Sequence, residues 1–199
     1  MTSGAPRAFA VTWDYRCPFA RNAHEALVAG LREGRPWQVR FMAFSLDQVH
    51  LDETEVAIWD RPPGARGSGA LALQWGIAVR DAFPGHFFDF HMATFAARFD
   101  QALRIDREDV VVAIADGVGL DGAAVGREVA SGRPLATLAS EHTEAVRRYE
   151  VFGVPTFIEG DEAVFVRFAE RGRLDDLDRF LELTGWHRLN EVKRTRLPG

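Results

Sequence analysis

The hydrophobic period changes twice within the first 44 residues, and that change limits the fold more than any other feature of the chain. Residues 8–13, Ala-Phe-Ala-Val-Thr-Trp, are apolar and β-prone, and predict a buried strand. Asp14 to Pro18 predicts a loop. From Phe19 to Arg32 the pattern turns helical, with Ala20, Ala23, Leu27 and Gly30/Leu31 on one face and Arg21, Asn22, Glu25 and Arg32 elsewhere. Gly34 and Pro36 end that helix. Trp37, Val39, Phe41 and Ala43 then alternate with Gln38 and Arg40, which predicts a second strand over 37–44. Two strands joined by a helical crossover must run parallel, so the chain builds an α/β sheet.

The rest divides into a helical stretch and a late return of β pattern. Residues 60–69 are a Gly/Pro-rich breaker, and 70–83, 86–103, 107–117, 121–131 and 134–150 predict helices, the third capped by Asp106. Thr156-Phe157-Ile158, the turn Glu159-Gly160-Asp161 and the run 163–168 predict a β-hairpin. A last helix is expected over 174–183. The order is β-α-β, helical insertion, β-β-α, divided as 1–60, 61–150 and 151–199.

Bulk numbers exclude several function classes. The chain has 199 residues, 47% hydrophobic and 27% charged, an ordinary globular composition. Its formal net charge of -5 argues against a nucleic-acid partner. No apolar run is long enough to span a membrane. Met1 to Arg7 lacks the apolar core of a secretory signal, and a single cysteine excludes an internal disulfide framework; both point to the reducing cytosol. Lys193 is the one lysine among 24 basic residues, an arginine bias that a GC-rich bacterial genome would produce.

That cysteine is the residue expected to carry chemistry. Cys17 follows a predicted strand and precedes a predicted helix, and Pro18 suits the first helical position. Cys17 therefore falls at the N-cap, where unpaired backbone N–H groups and the positive end of the helix dipole favour a thiolate and predict a lowered pKa. Arg16 and Arg21 should add to the effect and Asp14 should oppose it. Trp13, Tyr15 and Phe19 surround the cysteine in sequence and are candidates for lining a ligand pocket, Trp13 alternatively serving as core. The six histidines are scattered: His86 and His91 have poor spacing for one metal site, and His24, seven residues beyond Cys17, lies too far along the helix to act as its base. The aromatic run His86–Phe90 with Phe95 and Phe99 is expected in the core of the insertion. Gly64, Gly67 and Gly69 lack the strand–helix context of a phosphate-binding loop. The motif Gly153-Val154-Pro155-Thr156-Phe157 opens the hairpin, and its X-Pro bond is a candidate for the cis isomer.

Strand–Cys17-Pro18-Phe19-Ala20–helix, a helical insertion, then Gly-Val-Pro-Thr-Phe with a β-hairpin and helix, resembles the thioredoxin fold in its DsbA-like form over essentially the whole chain. The resemblance implies that Val154 and Pro155 face Cys17, with Trp13, Tyr15, Pro18 and Phe19 around a bound thiol. Phe41-Met-Ala-Phe-Ser-Leu46 and the tail Glu191–Arg196 are similar to actinobacterial DsbA-family proteins, including mycothiol-dependent reductases. The sequence departs from that family at Ala20, which stands where the second cysteine of Cys-x-x-Cys belongs. A dithiol enzyme resolves its own mixed disulfide through that second thiol. Here an outside low-molecular-weight thiol, mycothiol or glutathione, is expected as co-substrate, acting with a disulfide or electrophilic substrate; no tightly bound cofactor or metal is expected, and oligomeric state stays open. Two alternatives remain: a transferase or isomerase like the kappa-class glutathione transferases and 2-hydroxychromene-2-carboxylate isomerases, and a redox-inactive binding module.

Overall fold

The computed structural model describes residues 6–52 and 54–191. Strand β1 (Arg7–Trp13) leads through a short loop into helix α1 (Pro18–Arg32), and β2 (Trp37–Ala43) returns beside β1. The two strands are parallel, in a register that sets Phe9 against Val39 and Trp13 against Ala43. Strand β3 (Thr156–Glu159) lies antiparallel on the other side of β1, and β4 (Glu162–Phe165) pairs antiparallel with β3. The sheet order is β2-β1-β3-β4. Chain segments 144 residues apart thus meet at the centre of the sheet, where the Thr156 N–H donates to Thr12 Oγ1 at 2.9 Å.

Between the two halves stand helices α2 (Leu46–Val49), α3 (Ala70–Ala82), α4 (Phe87–Phe99), α5 (Glu108–Gly117), α6 (Gly122–Ala130) and α7 (Arg133–Tyr149), followed after the hairpin by α8 (Leu174–Thr184). As the sequence implies, no described residue between 65 and 150 joins a strand. Helix α1 packs on α4 and α8, while α7 packs on α3 and β2. Phe87, Phe90 and Phe95 are buried, so the aromatic run is core, joined there by Trp13, Tyr15 and Trp75.

Three local expectations are corrected. Helix α4 ends at Phe99, not 103, because the Leu103 N–H folds back to the Ala97 carbonyl at 2.9 Å through Ala102 at φ 54°. Asp106 does not cap α5; it binds Arg104, and Arg107 occupies the cap without a side-chain bond. The 60–69 stretch is the expected breaker, with only a short 3₁₀ turn at Pro63–Ala65. The second hairpin strand stops at Phe165, three residues early, although the Val166 N–H still reaches the Pro155 carbonyl at 3.2 Å.

Candidate functional site

Cys17 is the N-cap of α1, with Pro18 as the first helical residue. Its Sγ accepts from the Ala20 N–H at 3.4 Å and donates to the Val154 carbonyl at 3.2 Å. The Val154–Pro155 bond is cis. The two motifs, 137 residues apart, therefore meet at one sulfur. The Asp14 carbonyl accepts the Cys17 N–H at 3.1 Å and fixes the loop that presents the thiol.

The thiol pKa moves opposite to expectation. Cys17 is 9% exposed, and burial pushes its pKa above the ordinary thiol value. The N–H groups of Ala20 and Phe19 favour the anion, as the cap position implies, but lose to burial. Buried Asp14 adds to the rise. Neither Arg16 nor Arg21 supplies the compensating cation. Arg16 binds Asp47, and Arg21 binds Glu25 and Asp100. The cation that acts on Cys17 is Arg167, which the sequence reading passed over.

Asp14 is wholly buried and accepts from the backbone N–H groups of Arg16 and Leu46, each at 2.8 Å. Burial nevertheless pushes its pKa up to about 6. Asp47, which holds Arg16, also accepts the Gly69 N–H at 2.9 Å. Gly67, at φ 90°, lies so close that a Cβ there would strike the Asp47 carboxyl. The loop glycines thus cradle a carboxylate of the chain itself.

The residues expected to line a pocket separate into two groups. Phe19 is half-buried beside Cys17, and Pro18 is exposed. Trp13 and Tyr15 have no exposure at all and cannot contact a bound thiol in this structure; their large rings fill the core between β1 and α4. The Tyr15 hydroxyl instead meets His91 Nδ1 at 2.8 Å, His91 Nε2 meets His24 Nδ1 at 2.9 Å, and His24 Nε2 meets the Thr12 carbonyl at 3.2 Å. A carbonyl only accepts, so the direction of every bond follows. His24 Nε2–H donates to Thr12, His91 Nε2–H donates to His24, and the Tyr15 O–H donates to His91. Burial holds His24 down to about 4 and His91 well below the ordinary value, so both rings are neutral, as this polarity requires. The same burial raises Tyr15. Sequence reasoning missed this relay. One signal was available: His24 falls on the same helix face as Ala20, Ala23 and Leu27.

Among the described residues, no group of three His, Cys, Asp or Glu side chains is placed to hold a metal ion. A cleft of about 260 Å³ is lined by Arg7, Glu159, Glu162, Thr184 and His187 at the far end of the strands from Cys17. The reactive geometry belongs to Cys17.

Residues 87–181 match the DSBA-like thioredoxin domain family. The DsbA of Pseudomonas aeruginosa superposes with a TM-score of 0.60 at 17% identity, over 94% of this chain and 87% of that one. The fold is that of the DsbA-like thioredoxin proteins. Two further structures mark its range. The cytosolic disulfide reductase DsbM of Pseudomonas aeruginosa, solved with GSH, is 18% identical, with a TM-score of 0.62 over 92% of this chain and 100% of that one. A 2-hydroxychromene-2-carboxylate isomerase is 16% identical, with a TM-score of 0.63 over 91% and 97%. No curated protein matches the chain. The Glu191–Arg196 motif lies outside the described residues beyond Glu191. No described helix is long and apolar enough to cross a membrane.

Proposed function

We propose that this protein is a thiol–disulfide oxidoreductase in which Cys17 works as a single thiol. The observation that carries the reading is the Cys17 sulfur at the cap of α1, set against the Val154 carbonyl, with Ala20 in place of a second thiol. Cys17 loses its proton and attacks one sulfur of a disulfide. The Cys17–S–S–R bond forms, the substrate S–S bond breaks, and the second half leaves as a thiolate. Deprotonation gives up the bond to Val154 and keeps the one from Ala20 N–H, so the anion retains a donor. A low-molecular-weight thiolate then attacks the mixed disulfide, forms a new disulfide with R, and returns Cys17 as thiolate. Electrons balance without another oxidant. Glutathione and mycothiol are the candidate second thiols. The DsbM likeness supports the first, and the arginine-rich composition and the Phe41–Leu46 motif support the second, an actinobacterial source. The same likeness, with DsbM described as cytosolic, supports a cytoplasmic location.

A second reading is favoured by one observation. The resting thiol is buried, donates to Val154 and has a raised pKa. A group in that state can position a bound thiol instead of reacting, as in a thiol-dependent transferase or isomerase. Intact mass after incubation with glutathione disulfide, and separately with mycothiol disulfide, separates the two. One stable adduct, absent in Cys17→Ser, supports the monothiol enzyme. No adduct with either disulfide, together with saturable binding of the reduced thiol, supports the second reading.

A further inference from the structure

Arg167 differs from the arginines around the site that carboxylates hold. Arg16, Arg21, Arg171 and Arg173 are all held by carboxylates. Among the described residues Arg167 has no carboxylate within salt-bridge distance, although the chain is acidic overall. Its guanidinium carbon stands instead 5.4 Å from the centre of the Phe19 ring and 5.4 Å from that of Phe165. Rings hold a guanidinium in place by its faces without neutralising it, and leave the N–H fork at its edge available.

Both rings belong to the site. Phe19 lies two residues beyond Cys17, and Phe165 pairs in register with Thr156, the residue after Pro155. The Val166 N–H bond to the Pro155 carbonyl fixes the backbone next to Arg167. Phe152, 67% exposed, extends the surface, its ring 5.0 Å from that of Phe165. An exposed, unneutralised cation is therefore held by aromatic rings at the rim of the Cys17 site.

Resting on the reading of Cys17 as a reactive thiol, we propose that Arg167 is the specificity-determining residue of the site, and that the small thiol or disulfide it takes carries a carboxylate near its sulfur. The guanidinium fork matches a carboxylate in two parallel hydrogen bonds. Phe19 and Phe152 offer apolar surface to the carbon skeleton between the two ends. Uncharged thiols, mycothiol among them, gain nothing from Arg167, which favours glutathione as the second thiol.

Alkylation of Cys17 by iodoacetate and by iodoacetamide tests this. At one pH both reagents meet the same thiolate fraction, so their rate ratio cancels the thiol pKa and reports recruitment of the carboxylate. The ratio is expected to fall about fivefold in Arg167→Gln at low ionic strength, and less at about 0.5 M salt, where exposed charges are screened. Arg167→Lys should keep part of the ratio, since it keeps the charge and loses the planar fork. A ratio equal in wild type and Arg167→Gln overturns the inference and leaves the reading of Cys17 intact. Failure of both reagents to modify Cys17 in the folded protein overturns that reading, and the inference with it.

Discussion

Two clusters of titratable side chains lie on either side of Thr12, and they are built on opposite principles. The relay Tyr15–His91–His24–Thr12 is wholly buried, and each histidine nitrogen in it has one partner of defined role. The Cys17 cluster is open. Its sulfur is buried but lies under exposed Pro18 and half-buried Phe19, Arg167 has no carboxylate partner among the described residues, and the bond to Val154 must be released before the sulfur can act. Thr12 serves both: its carbonyl ends the relay, and its hydroxyl receives the Thr156 N–H beside Pro155. Polar groups that are fully satisfied specify a core, whereas groups left with a free valence are available for chemistry.

The comparison breaks most sharply at Cys17. Cys17→Ser should abolish mixed-disulfide formation with glutathione disulfide, measured by intact mass, and leave the urea midpoint nearly unchanged, because the hydroxyl keeps the cap. His91→Leu should do the reverse. It strands the Tyr15 O–H and His24 Nδ1 without partners, at about 2 kcal/mol each, so unfolding free energy should drop by about 4 kcal/mol while Cys17 alkylation in the folded protein is unchanged. An altered alkylation rate in folded His91→Leu would mean that the two clusters are coupled through Thr12.

Acid should act on the buried histidines, one in the relay and one beside Phe44. Burial holds His24 and His142 at about 4 against an ordinary 6.5. The unfolded chain therefore binds more protons in that window, and stability is lost as pH falls from 6.5 to 4, by about 3 kcal/mol per histidine. Asp14, raised to about 6, has the opposite sign: its contribution favours the fold at low pH and is lost as pH rises through about 6. Denaturation midpoints at pH 4 and 7 should show a net loss in acid, steeper in Asp14→Asn, where the opposing contribution is gone. The smallest effect expected is at Gly76, where a Cβ would come within 2.5 Å of the Tyr15 hydroxyl. Gly76→Ala should cost about 1–3 kcal/mol by overpacking, read as a lowered urea midpoint.

Much of this architecture was legible in the sequence because periodicity reports burial of one face. The β1–α1–β2 unit, the hairpin and the helix-cap position of Cys17 all follow from local pattern. The end of α4 did not, since Leu103 continues the apolar spacing while the backbone has already turned back on Ala97. The relay did not either, because His24 and His91 are 67 residues apart and only the fold brings them to 2.9 Å. The shift at Cys17 shows the boundary most clearly. Local sequence supplies the donors at the cap, but the burial that outweighs them comes from the rest of the molecule.

The carbonyl at the end of the relay has one more consequence. Thr12 O has no proton to pass on, so the hydrogen bonds from Tyr15 through the two imidazoles cannot reverse while both rings are neutral. The relay is a dead end for proton traffic, close as it runs to the nucleophile. The proton that Cys17 gives up does not leave through this relay.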